Sequence, residues 1–364
     1  MFPCLLCYMK RTRIAIEYMY RIYVEVAMLF SVGYSTRADD SFIKEMIDLR
    51  DGISEVYFSF GEMPSGRNKQ TRSEGLTPWE AQAKQLEDLS RLHKAGFAFN
   101  LLFNANCYGD RAQARSFFFE VGEMMDYVDG KFSLSAVTTT SPLIAKFVKQ
   151  NFPRIDVRAS VNMGIGSTLG MEYVSDVFDS FYVKRELNRD FGVLADLRSW
   201  CDKNGKEMYI LANSGCLNDC SAHTFHDNLV AHEEGASHMD NGYQFTGVCK
   251  AYLAKPENRA ALLYGTNYIR PEDTELYEGI VPAMKLATRV HENPSRILRA
   301  YIERKKFVGN TASLLEPNHA GTVYPYVLEN GKIERRIENK KLIYTNAENA
   351  FVKLEEQYAY QQND

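Results

Sequence analysis

Strand-like and helix-like segments alternate along most of the chain, and this alternation limits the possible folds more than any other feature. Short runs rich in apolar, β-branched and aromatic residues are each followed by a segment in which apolar residues recur at helical spacing. We therefore expect eight strands, at Leu29–Tyr34, Glu55–Phe60, Phe97–Phe103, Phe132–Val137, Asp156–Val161, Ser180–Val183, Glu207–Ala212 and from Ala261 to Tyr264.

Helices are expected between these strands. Thr77 followed by Pro78 is typical of an N-cap with proline at the first helical position, and it predicts a helix that ends near His93. The other expected helical segments are Ser41–Arg50, Arg111–Tyr127, Pro142–Asn151, Leu169–Val177, Asp190–Asn204 and a final long region capped by Arg270–Asp273.

Eight strand–helix units in a chain of this length favour an α/β fold, a closed (β/α)8 barrel of the TIM type. An open doubly wound sheet is the alternative, but no G-x-G-x-x-G fingerprint follows the first strand. In a parallel barrel the residues just beyond each strand meet at one face, which is the catalytic end. We expect the following strand-end residues to converge there: Cys107, Thr140, Asn162, Arg185, Asn213 and Cys216.

We divide the 364 residues into an N-terminal extension at 1–27, the barrel at 28–315 and a small C-terminal extension at 316–364. Charged residues interrupt the first segment, so no apolar run reaches the roughly 18 residues that a membrane span needs, and Met28 is a candidate for the natural start. In the C-terminal extension, Gly331-Lys332 predicts a turn between strands Val323–Leu328 and Lys332–Ile337. Lys341–Gln361 is expected to form a peripheral helix.

Composition and charge narrow the class of protein. A hydrophobic content of 45%, a charged content of 25% and a net charge of −4 are ordinary for a globular protein. They give no support to a broad nucleic-acid surface. Seven cysteines, an odd number without a credible signal peptide, indicate a reducing compartment. We therefore expect a cytoplasmic protein.

The cysteines suggest a metal site. Cys216 and Cys220 follow the seventh expected strand with three residues between them, a layout that suits a soft metal or a cluster at the barrel mouth. Cys249, in the insertion before the eighth expected strand, is the third candidate ligand. Cys107, at the end of the third strand, is the fourth and would have to reach across the opening. Cys201 is expected to pack inside a helix.

Two alternatives to a four-cysteine cluster stay open. His223 or His226 could supply a nitrogen ligand, as in some cluster proteins. A closed structural zinc site with cysteine and histidine ligands would account for the same residues without a catalytic role.

Further candidates line the expected mouth. Arg67, Arg185, Arg270 and Lys285 could bind an anionic substrate, with Asn213 beside them, although each cation could instead pair with a neighbouring carboxylate. Candidate proton-transfer groups are Glu62, Glu186 and His226. No G-x-S-x-G elbow, H-E-x-x-H helix or P-loop is found, which disfavours serine hydrolase, zincin and nucleotidase chemistry.

The order of several motifs resembles the collagenase-like peptidase family, peptidase family U-32, and its relatives with iron–sulfur clusters. Tyr57-Phe58 with Arg67 is similar to the second-strand element of that family, and Arg185-Glu186 to the polar pair after its sixth strand. The remaining similar motifs are the Asn213–Cys220 segment with His226 and Asn228, Ile269–Asp273, Tyr277-Glu278 and Met284–Arg289.

This resemblance implies a TIM-type barrel and a [4Fe–4S] cluster on four cysteines. In several branches it implies oxygen-independent hydroxylation of RNA bases or quinone precursors, and in other members proteolysis. We therefore expect an iron–sulfur enzyme that modifies a small molecule, an RNA base or a peptide, with a partner subunit possible. The alternatives are a collagenase-like peptidase and a non-catalytic barrel with a structural zinc or iron–sulfur site. In better-known branches the cysteines lie further apart than Cys216 and Cys220.

Overall fold

The computed structural model describes residues 28–35, 40–61, 63–66, 76–237, 239–240, 243, 245–303 and 305–354. Eight parallel strands close into a barrel in chain order, which confirms the predicted TIM-type fold. The strands are β1 (Leu29–Gly33), β2 (Ile53–Phe58), β3 (Phe99–Phe103), β4 (Ala136–Thr139), β5 (Asp156–Ala159), β6 (Ser180–Tyr182), β7 (Glu207–Leu211) and β8 (Ala283–Leu286).

Helices connect the strands on the outside of the barrel. The second helix begins with the capping box that the sequence indicates, in which Thr77 and Glu80 bond to each other's backbone amides. The helices up to β7 are α1 (Asp40–Asp48), α2 (Pro78–Lys94), α3 (Arg115–Phe132), α4 (Pro142–Asn151), α5 (Thr168–Glu172) and α6 (Phe191–Asn204). Those after β7 are α7 (His223–Ala231), α8 (Glu233–Ser237), α9 (Val248–Leu253), α10 (Ala261–Tyr264), α11 (Pro294–Ile302) and α12 (Ala347–Ala350). Among the described residues, no helix is both long and apolar enough to cross a membrane.

The eighth strand lies elsewhere than predicted. Ala261–Tyr264 forms helix α10, and the barrel is closed by β8, Ala283–Leu286, which falls inside the region that we expected to be helical. A four-residue apolar run is compatible with either a buried helix or a strand, so periodicity cannot separate them. Lys285 interrupts the apolar pattern of the true strand. The insertion after β7 is therefore longer than predicted.

Polar side chains fill part of the barrel interior. Glu55 accepts hydrogen bonds from Ser31 Oγ at 2.7 Å and Asn100 Nδ2 at 2.9 Å, and Arg158 Nη1 lies 2.9 Å from its other oxygen. The Arg158 guanidinium also lies 4.4 Å from the centroid of the Tyr209 ring. A buried charge pair with this many partners closes the centre of the barrel. The free space lies beyond it, at the carboxyl ends of the strands.

The C-terminal extension contains two small antiparallel sheets, one pairing β10 (Glu334–Glu338) with β11 (Lys341–Thr345) and the other pairing β9 (Tyr326–Leu328) with β12 (Phe351–Lys353). The predicted hairpin was therefore wrong. The predicted helix Lys341–Gln361 was also wrong where β11 and β12 lie, and its residues 355–361 lie outside the described residues. The tight turn is at Asn339-Lys340, where both residues have positive φ, as a two-residue hairpin turn requires.

Tyr344 of β11 anchors the extension to the barrel. Its hydroxyl donates to Asp273 Oδ2 at 2.7 Å and accepts from the Arg270 amide at 3.0 Å. Its ring centroid lies 4.0 Å from the Arg189 guanidinium carbon, which also lies 4.7 Å from the Tyr268 ring centroid. Aromatic, cationic and carboxylate groups thus share one buried cluster. The extension is packed on the barrel and contributes to its stability.

We predict that Tyr344→Ala lowers the free energy of unfolding by about 3–5 kcal/mol, because a fully buried aromatic ring and its hydroxyl partners are lost together. Ile337→Ala, at an exposed position of the same hairpin, is the matched control and should change it by less than about 0.5 kcal/mol. Urea unfolding curves measure both. Equal effects of the two substitutions would show that the extension does not stabilise the barrel.

His291 predicts a pH dependence of stability. Its side chain is 2% exposed, and burial lowers the pKa of the imidazole. Below about pH 6.5 the His291 imidazole is protonated in the unfolded chain more readily than in the folded chain. The free energy of unfolding therefore falls as the pH drops. His291 Nδ1 accepts a hydrogen bond from the Asn293 amide. In His291→Asn, the oxygen of the new side chain can accept the same hydrogen bond without titrating. His291→Asn should therefore lose less stability than the wild type between pH 7 and pH 5. Denaturant unfolding at both pH values measures this, and an unchanged difference contradicts it.

Candidate functional site

A narrow cavity of about 60 Å³, which we call the throat, opens at the carboxyl ends of the barrel strands. Arg185, Lys285 and Arg289 bring three cations to its wall, and Glu316 brings one carboxylate. Arg185 follows β6, while Lys285 and Arg289 lie in and just beyond β8. Side chains that are far apart in sequence meet here because parallel strands end on one face.

Arg185 links the throat to the cysteines. It is 5% exposed, and its Nη1 donates to Cys216 Sγ at 3.1 Å. Its Nη2 lies 2.8 Å from His223 Nε2 and 3.5 Å from Asn162 Oδ1. A guanidinium has only donors, so the sulfur and the ring nitrogen act as acceptors in these contacts. Arg185 therefore fixes a thiol and an imidazole with one planar group.

Lys285 and Arg289 are held from the inner side of the throat. Lys285 Nζ lies 3.9 Å from the centroid of the Tyr57 ring and 5.0 Å from that of Tyr182, which places a cation between two aromatic faces. Arg289 Nη2 donates to Ser65 Oγ at 2.7 Å. Burial raises the pKa of Tyr57 to about 12, although the charge of Arg289 acts in the opposite direction. Tyr57 is thus a neutral phenol at physiological pH.

A second and larger space, the outer cavity, adjoins the throat and measures about 570 Å³. It shares Val290 and Glu316 with the throat. The outer cavity is also lined by Cys216, His223, His226, Asp227, Phe245, Cys249 and Lys250. The two cavities are therefore neighbours, one lined by the cations and the other by two of the thiols.

Asp227 and Phe245 order the imidazoles of the outer cavity. Asp227 Oδ2 lies 3.2 Å from His223 Nε2 and accepts from Asn106 Nδ2 at the same distance. The ring of His226 lies 5.3 Å from that of Phe245, centroid to centroid. His223, which contacts Arg185 and Asp227 together, is the better-positioned of the two histidines for proton transfer.

Three of the predicted cysteine ligands come together. Cys216 and Cys249 line the outer cavity, and Cys220 and Cys249 line a third cavity of about 550 Å³. Burial raises the pKa of the Cys249 thiol, and the charges of Cys216 and Cys220 raise it further, so the three sulfurs are close enough to interact. Within the described part of the chain, however, no three Cys, His, Asp or Glu side chains are arranged to hold a metal ion.

The other two described cysteines, Cys107 and Cys201, line none of these cavities. Cys107 Sγ accepts a hydrogen bond from the Gly109 amide of its own loop and lines none of the three cavities. Cys201 is buried in α6 with its sulfur 3.9 Å from that of Met171, in agreement with the expected packing role.

The structure brings Arg185 and Lys285 to the throat and His226 to the outer cavity, but it places other predicted residues elsewhere. Arg270 is bound to Asp273 at 2.7 Å and lies 3.3 Å from Glu272, so its guanidinium anchors the C-terminal extension and does not face the throat. Glu186 lines neither cavity. Glu62 and Arg67 lie outside the described residues.

Asn213, predicted to contact substrate, is fully buried. Its Nδ2 donates to the Leu314 carbonyl at 2.9 Å and its Oδ1 accepts from the Ala287 amide at 2.7 Å. The amide group thus joins the ends of β7 and β8 to the segment just before the C-terminal extension. Asn213 positions the Gly215–Cys216 turn and does not line the throat or the outer cavity.

Sequence reasoning missed Arg289 and Glu316 as site residues. Arg289 would have been recognised as a strand-end residue had β8 been placed correctly. Glu316 reaches the site because its backbone pairs with the cysteine segment: the Gly215 amide donates to its carbonyl and its own amide donates to the Asn213 carbonyl, both at 2.9 Å. No local pattern indicates a pairing between residues about one hundred positions apart.

Fold and site together define a TIM-type barrel with cations, imidazoles and thiols at the carboxyl ends of its strands. No model of a known protein family matches the chain. A curated relative, the uncharacterized protease MJ1657 of Methanocaldococcus jannaschii, is 23% identical over 268 residues, which cover 69% of this chain and 75% of the relative. The structure of the U32 peptidase Mk0906 is also similar. Its TM-score is 0.50 at 12% identity, and the match covers 71% of this chain and 91% of that one.

These two findings confirm the resemblance to the U32 peptidase family that the order of the sequence motifs indicated. At 12% identity the structural similarity supports the fold alone.

Proposed function

We propose that this protein is a cytoplasmic U32-type barrel enzyme that holds an iron–sulfur cluster through Cys216, Cys220 and Cys249 and modifies an anionic substrate without using oxygen. One observation carries the proposal. Cys249, which is remote in sequence, lines one cavity with Cys216 and another with Cys220, and the charges of both cysteines raise the pKa of its thiol. The substrate is a small molecule, an RNA base or a peptide. A partner subunit that completes the site is compatible with this proposal.

The donor set fits a cluster in its chemistry. Thiolates are the usual ligands of iron–sulfur clusters, and Cys249 lines one cavity with Cys216 and another with Cys220. The fourth ligand would be an imidazole of the outer cavity, His223 or His226, or Cys107 after movement of its loop. Because the described side chains do not form a ready coordination group, loading has to be coupled to a local rearrangement. Zinc on the same thiols is the alternative metal.

The chain's own residues have separate tasks in this proposal. The bound cluster would supply electron transfer. Arg185 holds Cys216 and His223 in fixed positions, and the throat cations bind the charged part of the substrate. His223, whose Nε2 lies between Arg185 and Asp227, moves a proton at that atom. Val290 and Glu316, which border both cavities, determine what passes between them.

Proteolysis is the second candidate, because the curated relative is named a protease and Cys216, His223 and Asp227 line one cavity. A cysteine nucleophile requires a base within hydrogen-bonding distance of its sulfur. The group that contacts Cys216 Sγ is the Arg185 guanidinium, which cannot accept a proton, while His223 contacts Arg185. This geometry favours the cluster proposal over the peptidase proposal.

We predict that the protein purified without oxygen is brown and contains iron and acid-labile sulfide. Cys216→Ser, Cys220→Ser and Cys249→Ser should each lose most of the iron, because a cluster needs all its thiolate ligands. Cys201→Ala, a cysteine outside the site, should retain it. Iron and sulfide assays with an optical spectrum measure the loss, and Cys107→Ser shows whether Cys107 is the fourth ligand.

Three outcomes would contradict the proposal. A folded, colourless wild-type protein without iron would remove the cluster, and zinc found in its place would indicate the structural alternative. Iron retained by Cys249→Ser would remove Cys249 from the ligand set. Peptide cleavage that survives Cys216→Ser and Cys249→Ser would identify a peptidase that does not use these thiols.

A further inference from the structure

We propose that His319 is a positioning residue for the thiol site, because its buried imidazole holds the turn that carries Cys216. This inference deepens the proposed function and rests on it, since Cys216 is one of the proposed ligands. His319 lies in the C-terminal extension, 104 positions beyond Gly215 of the turn. It is not among the described residues that line the three cavities, so it acts on the thiol through the backbone.

The His319 imidazole is hydrogen-bonded to the turn. The side chain is fully buried, and its Nε2 lies 2.9 Å from the Gly215 carbonyl oxygen. A carbonyl oxygen only accepts, so Nε2 carries the hydrogen and Nδ1 of the neutral ring carries none. Burial lowers the pKa of the imidazole, and the charge of Lys250 acts in the same direction, so the ring is neutral at physiological pH.

The other ring nitrogen shows that the histidine is costly at this position. Among the described residues, no group forms a hydrogen bond with the buried Nδ1 of His319. A buried polar atom without a partner costs about 1–3 kcal/mol, which an apolar side chain would avoid. What the imidazole supplies in return is a donor to the Gly215 carbonyl. This exchange indicates that the geometry of the turn depends on that donor.

The same part of the C-terminal extension encloses Gly215 from its other side. The Gly215 amide donates to the Glu316 carbonyl at 2.9 Å, so both polar groups of its backbone bond to residues 316–319. A Cβ added to Gly215 would lie 2.5 Å from the Pro317 carbonyl oxygen and 3.1 Å from His319 Cδ2. Only glycine allows the turn to approach this closely. The extension is therefore a template on which the turn is formed.

The peptide unit that His319 holds leads directly into Cys216. Because a peptide unit is planar, the Gly215 carbonyl and the Cys216 amide have one common orientation. The Cys216 amide donates to Ser214 Oγ at 3.4 Å, and Cys216 Sγ accepts from Arg185 Nη1 at 3.1 Å. Rotation of this plane would move the sulfur away from Arg185. His319 thus fixes the direction of the Cys216 side chain without contacting its sulfur.

Alkylation of individual cysteines in the full-length protein, reduced and freed of metal by chelation, tests this inference. Iodoacetamide at pH 9.5 is the probe, because ordinary thiols are largely ionised there and the rate reports access to the sulfur. Tandem mass spectrometry of proteolytic fragments gives the rate at each cysteine. We expect Cys216 to react at least about fivefold faster in His319→Leu than in the wild type, because the turn loses its donor.

His319→Gln is the matched control. The amide nitrogen of glutamine can donate to the same carbonyl, so Cys216 should react within about twofold of the wild-type rate. Cys201, which is buried in α6, reports opening of the whole fold, and Cys107 reports a loop outside the turn. Both should react as in the wild type. If His319→Leu does not fold, His319→Met removes the same donor and takes its place with the same expectation.

Equal or slower alkylation of Cys216 in His319→Leu, or a glutamine variant that does not restore the wild-type rate, would overturn the inference. An equal rise at Cys201 would also overturn it, because His319 would then stabilise the whole fold without a specific effect on the turn. Its failure is distinguishable from failure of the proposed function, since the rates are measured without metal. Iron in the wild type with unaltered Cys216 rates refutes the positioning role alone. The expected rates in a protein that never contains iron refute the cluster alone.

Discussion

The pairing of β1 with β8 is the constraint on which the rest of the structure depends. Leu29 lies opposite Ala283 and Val32 opposite Leu286, and this parallel register closes the sheet. Once the sheet is closed, every strand delivers its last residues to one rim. Cations from β6 and β8 and thiols from the long segment after β7 reach a common space only through this closure.

Arg185 is the residue through which the two halves of the site interact. A single buried guanidinium donates to Cys216 Sγ and contacts His223 Nε2 while lining the throat. Arg185 therefore belongs to both cavities, because it lines the throat and contacts two side chains that line the outer cavity. Ligand binding in the throat and chemistry at the thiols are therefore expected to influence each other.

The C-terminal extension packs on the barrel and also contributes to the candidate site. Tyr344 joins it to Arg189, Arg270 and Asp273 on one side. On the other side, the backbone of Glu316 pairs with the strand-end segment that carries Cys216. The boundary that we placed between residues 315 and 316 separates consecutive parts of the chain, but the site extends across it.

The sequence predicted the elements with strong local signals. The helix after Thr77-Pro78 and the helix at Pro142–Asn151 have clear caps, and the first seven strands lie close to where apolar runs indicate them. Sequence-based prediction failed at Ala261–Tyr264, because a short apolar run is compatible with either a helix or a strand. It also failed for Glu316, whose position in the site is determined by long-range backbone pairing. Arg270 was misassigned because an arginine before Pro-Glu-Asp carries no local sign of whether it meets a ligand or a neighbouring carboxylate.

The central claim is that Cys249 borders Cys216 and Cys220 at one rim. Phenylarsine oxide measures this directly, since each arsenic condenses with two neighbouring thiols and releases water. We expect metal-free, reduced wild-type protein to take up the reagent so that proteolytic fragments containing Cys249 and the Cys216–Cys220 segment remain joined through arsenic in mass spectra. Adducts confined to the Cys216–Cys220 segment, with Cys249 unmodified, would contradict the account.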